Sequence, residues 1–284
     1  MHSSGCSPAL VDWLQDQPAA LIIATPSALH AELLLQGLAV DLPMYVEKPV
    51  VTTAADLKAV CSAAALYDCC APVQVGCNLR FLPSLQCLRD LLQEGAIGRV
   101  VRASFDAGQW LPDWRPQQNH RRSYSADPAL GGGVVLDLIH EIDAALWLLG
   151  DLTPVAAQTA VVPRLEIATE AVATALLRSS GGALVQIGLD YVARRPVRRY
   201  QLIGEDGTLC WDLSRRELRL ESPQGSELID CGEDGFDVAK TYRTAMAEFV
   251  VAVKSGGSTS QPLEQGLRTA DLALRLKELA CTNP

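Results

Sequence analysis

The sequence predicts an α/β protein continued by an α+β region. An incomplete Rossmann-type parallel sheet comes first, followed by an open, mostly antiparallel sheet with flanking helices. Three observations carry this prediction. Between residues 19 and 78, β-branched strand-length runs alternate with stretches of helical periodicity. From about residue 153, short strand candidates follow one another with hairpin-like breaks, and two long helical patterns close the chain. The chain has 284 residues and is 49% hydrophobic, enough for one large core or two modest ones.

The elements read as follows. PALVDWLQDQ (8–17) is a short helix. AALIIATPSA is a strand ending at Thr25-Pro26-Ser27, with Ser27 placed to cap the helix ALHAELLLQGLAV, which has Gly37 near its C-terminus. MYVEKP is the second strand. TTAADLKAVCSAAALYDC is the second helix, with Thr53 as its N-cap, and PVQVGCN is the third strand. A helix over 81–95 ends at Gly95, and RVVRASFDAG is a strand. Residues 109–130 read as a long loop carrying Trp110, Trp114 and Tyr124. Gly131-Gly132-Gly133 then opens one helix, VVLDLIHEIDAALWLLG, closed by Gly150. Seven strand candidates follow from VAAQTAVV to SELIDC, and helices over 238–254 and 263–280 finish the chain. The expected division is a partial dinucleotide-binding domain at 1–78 and a substrate-binding and oligomerisation domain at 79–284, with the last helix packing back on the first domain.

Charge and composition exclude several classes. The net charge of −9 lacks the basic face that phosphate neutralisation in a nucleic-acid binder requires, though a local pocket can still be basic. No run of 18 apolar residues reads as a membrane span, and MHSSGCSPAL does not read as a secretory signal. The nine cysteines (Cys6, Cys61, Cys69, Cys70, Cys77, Cys87, Cys210, Cys231 and Cys281) contain no C-x-x-C pair. With only four histidines, the chain is expected to hold reduced thiols in a cytoplasmic setting and no metal site.

Four groups could carry chemistry. Glu47-Lys48-Pro49 follows a parallel strand, where an ammonium faces the ligand crevice and can hydrogen-bond a ribose or move a proton. Alone, the tripeptide reads more readily as an exposed lysine. Asp137 and His140 lie three apart on one helix face, with Asp143 continuing it. A carboxylate there can orient the imidazole and raise its pKa, and a helix-surface ion pair fits the spacing equally well. Ala24-Thr25-Pro26-Ser27 with His30 forms a strand-to-helix turn that could face an anion or a ribose, or simply cap a helix. Arg194, Arg195, Arg198 and Arg199 form the densest basic group, able to grip a phosphate or carboxylate bidentately or to lie on a solvated face.

Taken together, these pieces resemble the glucose–fructose oxidoreductase / inositol dehydrogenase / MocA family of NAD(P)-dependent oxidoreductases. The resemblance rests on IIATPSALHAELLLQGLAVDLPMYVEKPVVTTAADL, GCNLRFLPSLQCLRDLLQEGAIGRV, GGGVVLDLIHEIDAALWLLGD and QLIGEDGTLCWD in that order, and covers nearly the whole chain. WLPDWRP and RRSYSADPALGGG are similar to the branch found with surface-polysaccharide and sugar biosynthesis. The resemblance implies hydride transfer between nicotinamide and a sugar, polyol or nucleotide-sugar carbon, with Lys48, His140 and Asp137 catalytic. Ala24, Thr25, Pro26, His30, Glu47, Lys48, Pro49 and Asn78 would lie at the NAD or NADP site. Apart from the resemblance, Arg80, Trp114, Tyr124, Asp143 and Arg195 are the candidate substrate residues. The resemblance also implies a homodimer or homotetramer formed through the C-terminal sheet.

Two features depart from the family pattern. The acid and the histidine are spaced by three residues, where the family usually has four. The pyrophosphate-binding G-x-G-x-x-G turn occurs nowhere in the sequence. The expectation is therefore a chain shortened at its first βα units that binds NAD(P)H weakly or not at all. The alternative is a non-catalytic relative serving as a sugar-binding or assembly subunit.

Overall fold

The computed structural model describes residues 19–67 and 70–282. The helix read at 8–17, the last two residues of the helix read before Ala71, and Cys6 and Cys69 lie outside them. The first sheet is parallel, in the order β1 (Leu21–Ile23), β2 (Met44–Val46), β3 (Val73–Val75). Leu21 pairs with Met44, and Met44 with Val73. Its crossovers are α1 (His30–Ala39) and α2 (Ala54–Tyr67). Strands β2 and β3 are buried along their whole length, as a sheet covered on both faces requires. Thr53 caps α2 as expected: its hydroxyl accepts from the Asp56 amide at 3.1 Å and donates to the Asp56 carboxylate at 2.7 Å. Ser27 does not cap α1. It starts a 3₁₀ turn over Ser27–Leu29, and Leu29 takes the cap position with no side-chain bond.

The second sheet has eight strands in the order β11-β10-β9-β8-β4-β7-β6-β5. Their ranges are β4 Val100–Gly108, β5 Leu152–Ala160, β6 Val172–Ser179, β7 Leu184–Asp190, β8 Val197–Gly204, β9 Thr208–Asp212, β10 Glu217–Ser222 and β11 Gly225–Leu228. Only the β4–β7 pair is parallel; the other pairings are antiparallel. One face packs on α3 (Pro83–Gln93), α5 (Ile139–Leu149) and α7 (Leu263–Thr282). Its core holds Phe105, Tyr200 and Trp211, with successive ring centroids 4.8 and 4.7 Å apart. Such tilted pairs contribute about 0.5–1.5 kcal/mol each beyond their buried area.

Two places differ from the patterning. The loop over 109–130 contains a helical turn at Leu111–Trp114 and three 3₁₀ turns. The helix expected after Gly133 is broken: α4 (Val134–Asp137) stops at Leu138, whose ψ of 33° interrupts the ladder before α5. The glycines ahead of it serve packing. A Cβ on Gly132 would lie 2.2 Å from the Tyr124 carbonyl oxygen, so only glycine lets these two backbone segments meet.

The last helix joins the two cores. Leu263, Leu267 and Ala270 belong to the parallel-sheet cluster, while Leu272, Ala273 and Leu276 belong to the cluster under the large sheet. At the crossing, a Cβ on Gly266 would stand 2.6 Å from Val75 and 2.7 Å from Val50, so α7 lies directly on β3. Helix α6 (Val238–Ser255) packs Ala245 and Phe249 on Tyr45. Lys48 at the end of β2 thereby shares a cleft with the ends of the central strands β4 and β8.

Candidate active site

The ends of β1, β2 and β3 present Ala24-Thr25-Pro26, Glu47-Lys48-Pro49 and Asn78 side by side. Ala24, Thr25 and Pro26 are exposed, and Glu47 and Lys48 are half-buried. Lys48 also lines a cleft of about 340 Å³ with Gln109, Trp114, Arg115, Tyr124, Asp137, His140, Arg198 and Ser214. The strand-end row and the cleft therefore share this lysine. Its Nζ donates to the Asp137 carbonyl at 2.7 Å, which ties the end of β2 to the break between α4 and α5.

Asp137 and His140 both reach the cleft but do not form the expected pair. The Leu138 break rotates them apart. The Asp137 carboxylate accepts from the Tyr191 hydroxyl at 2.6 Å. The His140 ring is buried, and its Nδ1 has no hydrogen-bond partner among the described residues. Its pKa therefore moves down, not up. Burial is the main cause, and the charges of Lys48 and Arg198 add to it. The ring is held neutral, the form that accepts a proton.

Asp143 continues neither the pair nor the cleft. Its carboxylate takes the Arg80 guanidinium in a two-point bond, 2.6 Å from Nη2 and 2.8 Å from Nε. Arg80 also donates to the Gln265 side chain, and Thr269 donates to Asp143 at 3.1 Å. Both expected substrate residues are thus spent on a buried ion pair. Trp114 and Tyr124 do line the cleft. The Trp114 indole donates to the Gln109 carbonyl at 3.2 Å, and the Arg115 guanidinium stacks on the Tyr124 ring. Arg195 is exposed and outside the cleft; Arg198 takes the place expected for it.

At the strand-end row, His30 acts from behind. Its Nδ1 lies 2.7 Å from the Pro49 carbonyl and its Nε2 3.0 Å from the Thr25 carbonyl. The ring thus braces the ends of β1 and β2 against each other. Burial lowers its pKa, against the pull of the two carbonyls. Asn78 is also buried and donates to the Thr241 hydroxyl of α6 at 2.7 Å. Burial raises the Glu47 carboxyl above its usual range, and the Lys48 charge offsets part of this.

Three partners, Glu141, Tyr191 and Tyr200, were not expected, and Arg198 was named only as one of the basic cluster. Glu141 is fully buried beside His140, with its Oε1 2.7 Å from Arg198 Nε and 3.1 Å from the Tyr200 hydroxyl. Tyr191 holds Asp137. A signal for Arg198 and Tyr200 exists in the period-two alternation of β8, which sends 198, 200 and 202 to one face. Tyr191 carries no such local signal.

The two lowered histidines make stability pH-dependent. In the unfolded chain each ring takes up its proton near the ordinary histidine value of 6.5. In the folded chain uptake is displaced to lower pH. The unfolded state therefore binds more protons below that point, and stability falls as pH drops through this window. Urea unfolding at about pH 7.5 and about pH 5 should show a smaller acid loss in His140→Gln than in the parent. An equal or larger loss would show that the ring is not held neutral.

Two family models match the chain. The oxidoreductase-family model with an NAD-binding Rossmann fold matches residues 8–76, and the GFO/IDH/MocA C-terminal domain matches residues 85–210. The 1,5-anhydro-D-fructose reductase of Ensifer adhaerens is 26% identical over 277 residues, covering 93% of this chain and 78% of its own. The D-apiose dehydrogenase of Rhizobium rhizogenes is 28% identical, covering 87% of this chain and 72% of its own. An oxidoreductase from Agrobacterium radiobacter, solved in complex with NAD+, L-tartaric acid and magnesium, superposes with a TM-score of 0.81 at 24% identity. That superposition covers 98% of this chain and 82% of the neighbour.

Proposed function

The chain belongs to the GFO/IDH/MocA family of oxidoreductases, and on that premise we propose that it interconverts a hydroxyl and a carbonyl on a sugar or polyol, with NAD as hydride partner. The observation that carries this reading is a strand-end lysine and a buried, neutral histidine opening onto one cleft. Named relatives that reduce an anhydro sugar or oxidise D-apiose support it.

The strand-end row fits the nicotinamide end of a dinucleotide, while the sequence holds no G-x-G-x-x-G turn for its pyrophosphate. Thr25 offers an exposed hydroxyl and Lys48 an ammonium on the same side as the cleft, and the orphaned His140 Nδ1 asks for a polar partner. NAD, when bound, supplies the hydride acceptor or donor. The protein's own residues supply the rest. Lys48 uses one proton on the Asp137 carbonyl and keeps two for a substrate oxygen. Neutral His140 takes the hydroxyl proton as hydride leaves the adjacent carbon, and returns it in the reverse direction. The Asp137–Tyr191 bond fixes the carbonyl that aims Lys48. Trp114 and Tyr124 wall the cleft against bulk water. The test is reduced-nicotinamide absorbance with the full chain and a panel of sugars, sugar acids and polyols. Turnover of none would sink the reading.

Self-association is part of the same proposal. The uncovered face of the large sheet carries Thr174, Leu176 and Arg178 on β6, Leu184 and Gln186 on β7, and Gln201 on β8. Leu176 and Leu184 are 39% and 41% exposed there, an apolar centre suited to a second copy of this chain. Light scattering after gel filtration should give a dimer or larger, and Leu176→Glu with Leu184→Glu should give monomer. A monomeric parent would remove this part. Use of NADP, a nucleotide-sugar substrate and a cytoplasmic setting remain further elements of the proposal. Among the described residues no helix is long and apolar enough to cross a membrane.

A further inference from the structure

We propose that the cleft takes an acidic sugar, of the aldonate or uronate class, and that Arg198 recognises its carboxylate through the terminal edge of the guanidinium. The inference rests on the reading of this cleft as the substrate site.

Charge is the first argument. The chain carries −9 overall, yet the charged side chains lining the cleft are Lys48, Arg115 and Arg198 against Asp137 alone. Tyr191 already engages Oδ2 of Asp137, which leaves its other oxygen as the one carboxylate oxygen facing three cations. A neutral polyol brings many hydroxyls that must donate as well as accept. A lining with three cationic donors and one carboxylate favours a ligand that accepts more than it donates. A carboxylate reverses the balance, because it only accepts.

The second argument is how Arg198 is held. Burying an arginine requires a counter-charge, and Glu141, with no exposed surface, lies behind it. The contact is made at Nε, 2.7 Å from Oε1, as an ion pair without hydrogen-bond alignment. Tyr200 donates to the same oxygen at 3.1 Å and locks the carboxylate in place. The terminal nitrogens Nη1 and Nη2 make no hydrogen bond among the described residues. Arg198 lines the cleft, and a planar fork whose terminal nitrogens are unbonded can grip a carboxylate at two points. Glu141 offsets part of the charge, so the preference is expected at about ten- to a hundredfold, the worth of hydrogen bonds to a charged group. The exposed Arg195 contributes nothing to this grip.

The test is calorimetric titration of the full chain, with and without NADH, using D-gluconate against D-glucitol and D-glucuronate against D-glucose. Within each pair the ligands differ at one terminal carbon. The acids are expected to bind at least tenfold tighter, with the margin shrinking as salt rises. Arg198→Gln combined with Glu141→Gln removes both buried charges together and should abolish the margin, while the exposed Arg164→Gln should keep it. Equal or tighter binding of the neutral partners overturns the proposal, as does a margin that survives in the paired variant. If that variant does not fold, the comparison in the parent chain still decides. Turnover of neutral polyols with no acid preference would remove this inference and leave the proposed function standing. Binding of no carbohydrate of either kind, with no turnover, would remove both.

Discussion

Lys48→Met should lower kcat/KM by about 10²–10⁴, the usual worth of a positioned acid–base group, and leave the fold intact. The side chain is half-buried, and methionine matches its unbranched stem, so little packing is lost. What disappears is the ammonium, with its 2.7 Å bond to the Asp137 carbonyl and the two protons left for a substrate oxygen. Lys48→Arg should not restore activity, because a planar fork cannot place a single proton where a compact ammonium does. Steady-state rates, read beside a thermal melt, check both halves. A Lys48→Met protein that melts like the parent and keeps parental kcat/KM would remove Lys48 from the chemistry.

Lys48 was legible because its position follows from local rules. A short apolar run defines β2, and whatever follows a parallel strand's carboxyl end faces the crevice. The same rules located β1, β3 and the Thr53 cap. The Asp137–His140 relationship was misread for a physical reason. Spacing places two residues on one face only while the helix is continuous, and Leu138 interrupts it. The partner that Asp137 takes instead, Tyr191, lies 54 positions away, at the end of a strand whose pairing is set by the whole sheet. The arginine cluster shows an intermediate case. Composition marked residues 194–199, but only the alternation of β8 distinguishes Arg198, which points inward with Tyr200, from Arg195, which lies in the preceding loop. Arg80 and Asp143 look like substrate residues in a sequence for the same reason that they are structural in the fold. Each is a charge in an apolar run, and such charges find each other when no ligand claims them.

Asp143→Ala is the variant expected to cost most in stability, about 3–5 kcal/mol, the usual effect of breaking a buried ion pair from one side. For a chain of this size that corresponds to a fall in melting midpoint of roughly 6–20 °C. The guanidinium left behind is 8% exposed and cannot reach water without opening the core. Asp143 outweighs the burial that pulls the Arg80 proton affinity down, raising it on balance. Removing the acid leaves the burial uncompensated. The loss also spreads, because the pair joins three segments: Arg80 follows β3, Asp143 sits on α5, and Gln265 and Thr269 come from α7. The combined replacement Arg80→Met with Asp143→Leu should cost much less than Asp143→Ala alone, since two apolar side chains of similar bulk need no counter-charge. Chemical unfolding of the parent, the single and the double variant measures this difference. A double variant as unstable as the single one would mean that the site depends on shape rather than charge compensation. Because α5 also carries His140, the single variant should lose kcat/KM along with stability, and the double variant should recover both together.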